Sequence, residues 1–268
     1  MSAAISSFGA REDSGGQGAR RSDARSKNGA EVMQLRVFGR TGMRLSMLGF
    51  GCGAVGGLMV RGDPADQERT VARAIAAGVN YFDTAVQYGN GESEKNLGRV
   101  LQKLKPANVA VGTKVRLLPS EFGRIADTVT MSLEGSLARL GLDGVDIFHL
   151  HNPITESGGG STLSVRQVLG DVVPAFERLR QQGKTRFLGI TAVGHTAALH
   201  QVIDSRAFDS AQVVYNMLNR RSHHGNRCWS SGHPCAGRRR TVGLSGASPD
   251  CGSGARADWF GYELRCRR

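Results

Sequence analysis

The sequence has no long apolar run, and this absence limits where the protein can reside. No apolar stretch approaches the roughly 18 residues that a membrane-spanning helix needs. The N-terminal segment MSAAISSFGAREDSGG also lacks the apolar stretch of a secretory signal. Hydrophobic residues make up 40% of the chain and charged residues 22%, which is ordinary for a globular protein. We therefore expect a cytoplasmic protein that does not enter a membrane.

Lysine is missing from residues 220–268, although the whole chain of 268 residues carries a net charge of +12. This segment holds ten arginines and only three acidic residues, whereas residues 1–32 hold five basic and four acidic side chains. The basic character therefore belongs mainly to the C-terminal segment. Four of the five cysteines lie in the same segment: Cys228, Cys235, Cys251 and Cys266.

Hydrophobic periodicity is missing from both ends of the chain. Residues 1–32 have few large apolar side chains to offset the entropy lost on ordering, so we expect a disordered leader. Residues 33–219 carry regular apolar patterns and are expected to form the domain. After Asn219 the patterns stop, and residues 220–268 are expected to be a basic, disordered tail. We interpret this tail as out-of-frame translation after a frameshift near codon 220.

The tail allows two other interpretations. Its arginines could bind phosphate backbones, but no helix or aromatic platform organises the charge. Cys228, His233 and Cys235, with His223 or His224, could be taken for a zinc site. Their spacing matches neither C-x₂-C pairs nor H-x₃₋₅-H, so we expect no metal site. Because the charge is not organised, we do not favour nucleic-acid binding either.

Between residues 33 and 219, short apolar strands alternate with amphipathic helices. In the first helix Val71, Ala74 and Ile75 share one face, with Asp63 as the N-cap and Gly78 as the stop signal. Two further helices show the same spacing, one through Leu97, Val100, Leu101 and Leu104, the other through Ile125, Val129, Leu133, Leu137 and Leu140. The predicted strands are LSMLGFGC, NYFD, VAVGT, VDIFHL, FLGI and QVVY. The pattern predicts six strands separated by five helices.

This alternation predicts a parallel sheet covered by helices. Two α/β architectures fit it, a doubly wound sheet and a (β/α)₈ barrel. The glycine-rich stretch GFGCGAVGG does not fit the GxGxxG motif that opens a helix in doubly wound dinucleotide-binding folds. In a barrel, by contrast, the C-terminal ends of the strands converge on one mouth, where catalytic groups gather.

Reactive side chains follow three neighbouring predicted strands. Asp83 ends NYFD and Tyr88 follows it; Lys114 comes directly after VAVGT, and His151 directly after VDIFHL. Taken singly, each has an ordinary structural explanation, such as a turn cap for Asp83. Four complementary groups at consecutive strand ends instead indicate a reaction site. His149 has the same strand parity as His151, and we expect it to pack one layer deeper.

The chemistry of these four groups is coherent. A phenol with a pKa of about 10 is a poor acid at neutral pH, but an adjacent ammonium stabilises the phenolate and lowers that pKa. A buried lysine needs a carboxylate, which Asp83 supplies, and the imidazole can hydrogen-bond a carbonyl oxygen. Together they would protonate an oxygen on which negative charge develops. None of them can donate a hydride, so a nicotinamide cofactor is required.

At these residues the sequence resembles the aldo-keto reductase family. LGFGCGAVGG resembles the first strand and turn of the family, FDTAVQYGNGESEKNLG its most diagnostic segment, and GTKV and DIFHLHNP the next two segments. The resemblance extends from about Leu35 to Asn219. It implies a (β/α)₈ TIM barrel, NADP(H) as the usual cofactor with NAD possible, and a small aldehyde or ketone as substrate.

The resemblance also implies a role for each matching residue. Tyr88 would be the general acid, Lys114 and Asp83 the partners that set its pKa, and His151 the group that orients the carbonyl.

Cofactor contacts are implied at Gln212, Thr191 and Asp83. Gln212 matches the glutamine that holds the carboxamide of the nicotinamide. Thr191 lies where the family often has Ser followed by Asn, and Ala192 replaces that Asn here.

The resemblance stops before the last two strands of a complete barrel. We therefore expect an incomplete barrel of about six strand–helix units with two open edges, and a reductase that is impaired or not stably folded. The family's nicotinamide-stacking aromatic and phosphate clamp would lie in the missing strands. Alternative interpretations are a non-catalytic binding subunit or barrel fragment, and a basic protein that binds nucleic acid through its tail. Substrate, cofactor preference and oligomeric state stay open.

Overall fold

The structure is a computed structural model that describes residues 33–53 and 55–214. The strands are β1 (Leu35–Val37), β2 (Arg44–Ser46), β3 (Phe50–Gly51), β4 (Tyr81–Asp83), β5 (Ala110–Val115), β6 (Val145–Leu150), β7 (Ile154–Thr155), β8 (Leu163–Ser164), β9 (Thr185–Thr191) and β10 (Ser210–Gln212). The α-helices are α1 (Leu58–Arg61), α2 (Pro64–Ala76), α3 (Glu92–Leu104), α4 (Ile125–Leu140), α5 (Val165–Gln167), α6 (Val173–Gln181) and α7 (Thr196–Asp204). Short 3₁₀ helices cover Gly39–Thr41 and Pro119–Arg124, and a π-helical turn, Val168–Val172, joins α5 to α6. The predicted leader and tail lie outside the described residues.

Six strands form one parallel sheet in the order β3-β4-β5-β6-β9-β10. Each strand is added on the same side of the one before it, with at least one helix in every connection. A doubly wound sheet would reverse this order at a switch point, so the order is that of a barrel wall. The predictions of a TIM-barrel fold and of six parallel strands are therefore confirmed; the sheet forms a curled half-barrel.

The helices begin and end where the capping signals predict. In α2 the Asp63 carboxylate accepts a hydrogen bond from the backbone N–H of Ala65 at 2.8 Å, and Pro64 occupies the first turn. In α4 the five apolar residues of the predicted stripe are all buried. Gly141 ends that helix with φ +64°, a left-handed conformation that glycine adopts without a steric penalty.

Several predicted strand boundaries are wrong in detail. Most of LSMLGFGC is not in the sheet, because Arg44–Ser46 pairs with Leu35–Val37 in an antiparallel hairpin and leaves only Phe50–Gly51 for β3. Lys114 lies within β5 rather than directly after it. The last strand ends at Gln212 and does not include the two valines that follow.

The two faces of the sheet have separate apolar clusters. The outer face, against α2 to α7, contributes Phe82, Phe148 and Leu188 to the larger cluster. The inner face contributes Tyr81 and Ile147 to a smaller cluster. The β1–β2 hairpin, including the loop between its strands, completes this cluster with Phe38, Met43 and Leu45. This hairpin covers the inner face at the N-terminal end of the strands, so the site must lie at the C-terminal end.

Candidate active site

Strand parity places the polar side chains on the inner face. Successive residues of a strand point to opposite faces, so Phe82 faces the helices while Tyr81 and Asp83 face inward. Lys114 is in register with His149 of the neighbouring strand. The wall therefore carries a carboxylate, an ammonium and an imidazole side by side on strands β4, β5 and β6.

A short chain of contacts links three of the predicted site residues. The Lys114 Nζ donates to Asp83 Oδ2 at 2.6 Å and to the Tyr88 hydroxyl oxygen at 3.2 Å. Its third contact is with the backbone carbonyl of Thr84 at 2.9 Å. The Lys114 side chain has no solvent exposure and that of Asp83 has 8%, so this is a buried ion pair that touches a phenol.

The other oxygen of Asp83 accepts two further hydrogen bonds. Gln212 Nε2 donates to Oδ1 at 2.8 Å, and the Tyr81 hydroxyl donates to the same atom at 3.3 Å. Burial, followed by the charge of Asp83, raises the pKa of Tyr81 well above its usual value, so this phenol stays protonated. Three side chains therefore donate to this carboxylate: Lys114, Tyr81 and Gln212.

 Only these three side chains donate to Asp83 among the described residues, and together they fix the orientation of its carboxylate.

A tight turn after β4 brings Tyr88 to the Lys114 ammonium. Gly89, Asn90 and Gly91 have φ values of +66°, +54° and +90°, a left-handed run that Gly and Asn tolerate better than other residues. The turn is anchored by Ser93, whose hydroxyl donates to the backbone carbonyl of Cys52 at 2.9 Å. The segment YGNGES therefore fixes the position of the phenol.

His151 lies beside Tyr88 at the end of β6. The two rings meet edge to face, with their centroids 6.2 Å apart. The backbone N–H of His151 donates to the carbonyl of Val115 at 2.8 Å, and its Nδ1 lies 3.3 Å from Gln87 Oε1. Burial, and then the charge of Lys114, lowers the pKa of His151 to about 4, so the ring is neutral at physiological pH.

His149 lies deeper in the wall, as the sequence predicts. It is fully buried, and its Nε2 lies 3.5 Å from the Ser210 hydroxyl. Gly189 leaves the space for this ring, because a Cβ there would come within 2.7 Å of His149 Nε2. Burial lowers the pKa of His149 to about 3, which keeps the ring neutral.

Two of the implied cofactor contacts, Thr191 and Gln212, lie at the ends of β9 and β10. Gln212 Oε1 is buried and has no hydrogen-bond partner among residues 33–53 and 55–214, because its amide nitrogen is turned to Asp83. Thr191 is in register with Gln212, and its hydroxyl donates to the carbonyl of Leu150 at 3.2 Å. An orphaned buried acceptor beside a carboxylate suits the NH₂ group of a nicotinamide carboxamide.

The structure thus brings together the four residues predicted to carry the chemistry, with Gln212 touching one of them. Sequence reasoning missed Tyr81, the Thr84 carbonyl and Gln87. The signal for Tyr81 was present, because it is two residues before Asp83 in a strand and therefore shares its face. The contacts of Thr84 and Gln87 depend on the path of the turn after β4, and a turn has no repeating sequence pattern from which its path can be predicted.

The described part of the chain has no group of three or more His, Cys, Asp or Glu side chains that is placed to hold a metal ion. None of its helices is both long and apolar enough to cross a membrane. The cysteines and histidines considered for zinc in the tail lie outside these residues.

Comparison with known proteins identifies a family to which the chain is similar. The sequence model of the Aldo/keto reductase family matches residues 47–227. The chain is 38% identical over 163 residues to L-galactose dehydrogenase of Arabidopsis thaliana, an alignment that covers 60% of this chain and 49% of that protein. It is 27% identical over 205 residues to NADH-specific methylglyoxal reductase of Escherichia coli (strain K12), covering 70% of this chain and 60% of that protein.

Solved structures match the fold. Aldo-keto reductase AKR11C1 from Bacillus halodurans, in its holo form, has a TM-score of 0.58 and 26% identity, covering 72% of this chain and 61% of that one. An aldo-keto reductase from Klebsiella pneumoniae, solved in complex with NADPH, has a TM-score of 0.56 and 23% identity, covering 72% and 62%. The chain spans about half the length of the curated relatives it matches. The matched family model covers most of the chain and all six strands of the sheet, and the chain belongs to the aldo-keto reductase family.

Proposed function

We propose that the protein transfers a hydride between NAD(P)H and the carbonyl carbon of a small aldehyde or ketone. The observation that carries this proposal is the buried contact chain from Asp83 through Lys114 to the hydroxyl of Tyr88. A lysine with no solvent exposure needs a carboxylate partner, and this one also contacts the backbone carbonyl of Thr84 and a phenol. This arrangement suits a phenol that must donate a proton.

Tyr88 is the proposed general acid. The Lys114 ammonium, 3.2 Å from the phenol oxygen, stabilises the phenolate that remains after the proton leaves. Asp83 keeps the ammonium at this place. As a hydride reaches the substrate carbon, negative charge develops on the carbonyl oxygen, and proton donation to that oxygen completes the reduction to an alcohol.

His151 is the proposed orienting group. A neutral imidazole carries one N–H, which can donate to the substrate oxygen without competing for the proton of Tyr88. The edge-to-face contact of the two rings supports a role for both groups at the same carbonyl oxygen. The low pKa of His151 preserves this neutral form down to about pH 4.

The residues present fit the nicotinamide half of the cofactor. Gln212 Oε1 offers a buried acceptor to the carboxamide, and Thr191 and Asp83 lie beside it. When bound, the reduced nicotinamide supplies the hydride that no side chain can supply. Both cofactors are candidates, because the Klebsiella pneumoniae structure contains NADPH whereas the Escherichia coli relative is NADH-specific.

Cofactor binding is the first test. The full chain is titrated with NADPH and with NADH while nucleotide fluorescence is recorded. Replacing Gln212 by Leu is expected to weaken binding about tenfold, since one hydrogen bond to the carboxamide is lost. Gln201→Leu, on the exposed side of α7, is the matched control and should bind as the wild type does. If neither nucleotide binds the folded wild type, the proposal is wrong.

Turnover is the second test. Oxidation of each nucleotide by the full chain is followed with a panel of aldehydes and ketones, and the measured kcat shows whether the chain is an active reductase. A chain that binds nucleotide but turns over none of these substrates would favour the alternative of a non-catalytic binding subunit. Salt-dependent retention on nucleic acid, lost when residues 220–268 are deleted, would favour a role for the arginine-rich segment.

A further inference from the structure

We propose that Tyr81 is a positioning residue for the reaction: its hydroxyl holds the carboxylate of Asp83 so that the charge of Lys114 is directed at Tyr88. This inference rests on the proposed function, in which Tyr88 is the general acid. It assigns a role to a second phenol that the contact chain from Asp83 to Tyr88 does not itself require.

The first support is that the two oxygens of Asp83 accept hydrogen bonds from different donors. Oδ1 accepts from the Tyr81 hydroxyl at 3.3 Å and from Gln212 at 2.8 Å, while Oδ2 accepts from Lys114 at 2.6 Å. Two donors on one oxygen leave the other to the ammonium alone. Rotation of the carboxylate would break all three bonds, so its orientation is fixed.

The second support is that the space for Tyr81 is built into the neighbouring strands. A Cβ added at Gly112 would overlap the Tyr81 hydroxyl, and one added at Gly49 would lie 3.0 Å from the ring. Below the ring, Phe38 and Met43 belong to the same apolar cluster. The phenol is therefore confined to an orientation in which its hydroxyl reaches Asp83.

The third support is the chemical state of the phenol. Burial and the neighbouring carboxylate raise the pKa of Tyr81, so it remains a neutral hydrogen-bond donor over the whole pH range in which the site would operate. It does not compete with Tyr88 as the proton donor. Its side chain is about 1% exposed, whereas Tyr88 is only half-buried and accessible to a substrate.

Loss of the hydroxyl would have a defined electrostatic consequence. Without it, the charge on Asp83 is stabilised by two donors instead of three, and the carboxylate attracts the Lys114 proton more strongly. The ammonium of Lys114 then interacts less strongly with the Tyr88 oxygen, so the phenolate of Tyr88 is less stable. Tyr88 should therefore ionise at a higher pH in Tyr81→Phe.

The test is an NMR titration of the full chain labelled with [¹³Cζ]tyrosine. The chain has four tyrosines, and Tyr88→Phe identifies the Tyr88 resonance. In Tyr81→Phe we expect the titration midpoint of Tyr88 to rise by about half a pH unit or more. Gly112→Ala, which displaces the Tyr81 hydroxyl without removing it, should move the midpoint in the same direction.

Thr113→Val is the matched control. It also removes one buried hydroxyl that donates to a carboxylate, since Thr113 contacts Glu94 at 2.5 Å, but it lies on the outer face. Its titration midpoint for Tyr88 should equal that of the wild type. An unchanged midpoint in folded Tyr81→Phe, or an equal rise in Thr113→Val, would overturn the proposal.

Kinetics separate this inference from the proposed function. With an active wild type, Tyr81→Phe should lower kcat about three- to tenfold and leave KM for the carbonyl unchanged, because proton donation follows the acidity of the phenol. An equal kcat would contradict the role of Tyr81. A wild type that oxidises no nucleotide contradicts the proposed function, while the NMR titration still decides whether Tyr81 acts on Tyr88.

Discussion

The two faces of the parallel sheet differ although they share one backbone. The outer face is apolar and packs against the helices, with Phe82, Phe148 and Leu188 among its buried residues. At the C-terminal ends of the same strands, the inner face carries Asp83 and Lys114. Alternation of side chains along a strand therefore separates what stabilises the fold from what can perform chemistry.

Buried polar groups occur on both faces, but in different arrangements. On the outer face Glu94 is shared between Thr113 and Arg139, and these contacts tie α3 to β5 and to α4. On the inner face the Lys114 ammonium contacts a half-buried phenol as well as a carboxylate. The outer network links three secondary-structure elements, whereas the inner one includes a half-buried phenol.

The largest stability effect should come from the outer face. Leu133→Ala removes a fully buried side chain of α4 and should lower the free energy of unfolding by about 2–5 kcal/mol. Activity per folded molecule should not change, since the inner face is untouched. Urea unfolding and active-site titration measure the two quantities, with Met131→Ala, 71% exposed on the same helix, as control. A loss of activity per folded molecule would contradict the claim that the outer face stabilises the fold without affecting the chemistry.

Acid sensitivity should come from the inner face. The pKa of His149 is lowered to about 3 in the folded protein, while in the unfolded chain it is near its usual value of 6.5. The unfolded state therefore takes up the proton first, and stability falls as the pH drops from about 6.5 toward 3. Between pH 7 and pH 5 the loss from this residue is about 2 kcal/mol.

Substitution of His149 by Asn should remove this part of the pH dependence. Urea unfolding at pH 7 and pH 5 gives the comparison, and His200→Asn, exposed on α7, serves as the matched control. If His149→Asn and the wild type lose equal stability over this range, His149 is not the source of the acid sensitivity.

The smallest effect should come from the N-terminal end of α2, which is not part of the candidate site. Asp63→Ala removes the N-cap of α2 and should lower the free energy of unfolding by about 0.5–2 kcal/mol, with no change in kcat. Asp63→Ser keeps a capping oxygen and should restore most of the loss. Thermal unfolding and turnover of the three proteins check both statements; a change in kcat would mean that the cap influences the site.

The outer face could be predicted well from the sequence, because its signals are periodic. The stripe from Ile125 to Leu140 and the capping residues of α2 are local patterns, and local patterns also gave the number and order of the strands. The hairpin that takes up Arg44–Ser46 was not predicted, since its pairing partner Leu35–Val37 has no distinctive pattern.

The inner face was predicted only in part. Positions at the ends of predicted strands indicated Asp83, Lys114 and His151, but the hydrogen bond from Gln212 to Asp83 joins residues 129 positions apart. Such a contact depends on how the wall curves and has no local signal. Tyr81 shares the parity of Asp83, yet its role emerges only when Gly112 on the next strand leaves room for its hydroxyl.

The central claim is that Tyr88 donates a proton from the inner face, and one measurement tests it directly. The rate of NADPH oxidation with an aldehyde substrate is compared for the full-length wild type and Tyr88→Phe at equal concentrations of folded protein. The contact chain through Lys114 predicts a loss of about 10²–10⁴-fold in kcat with the fold intact. Equal rates for the two proteins would contradict the claim.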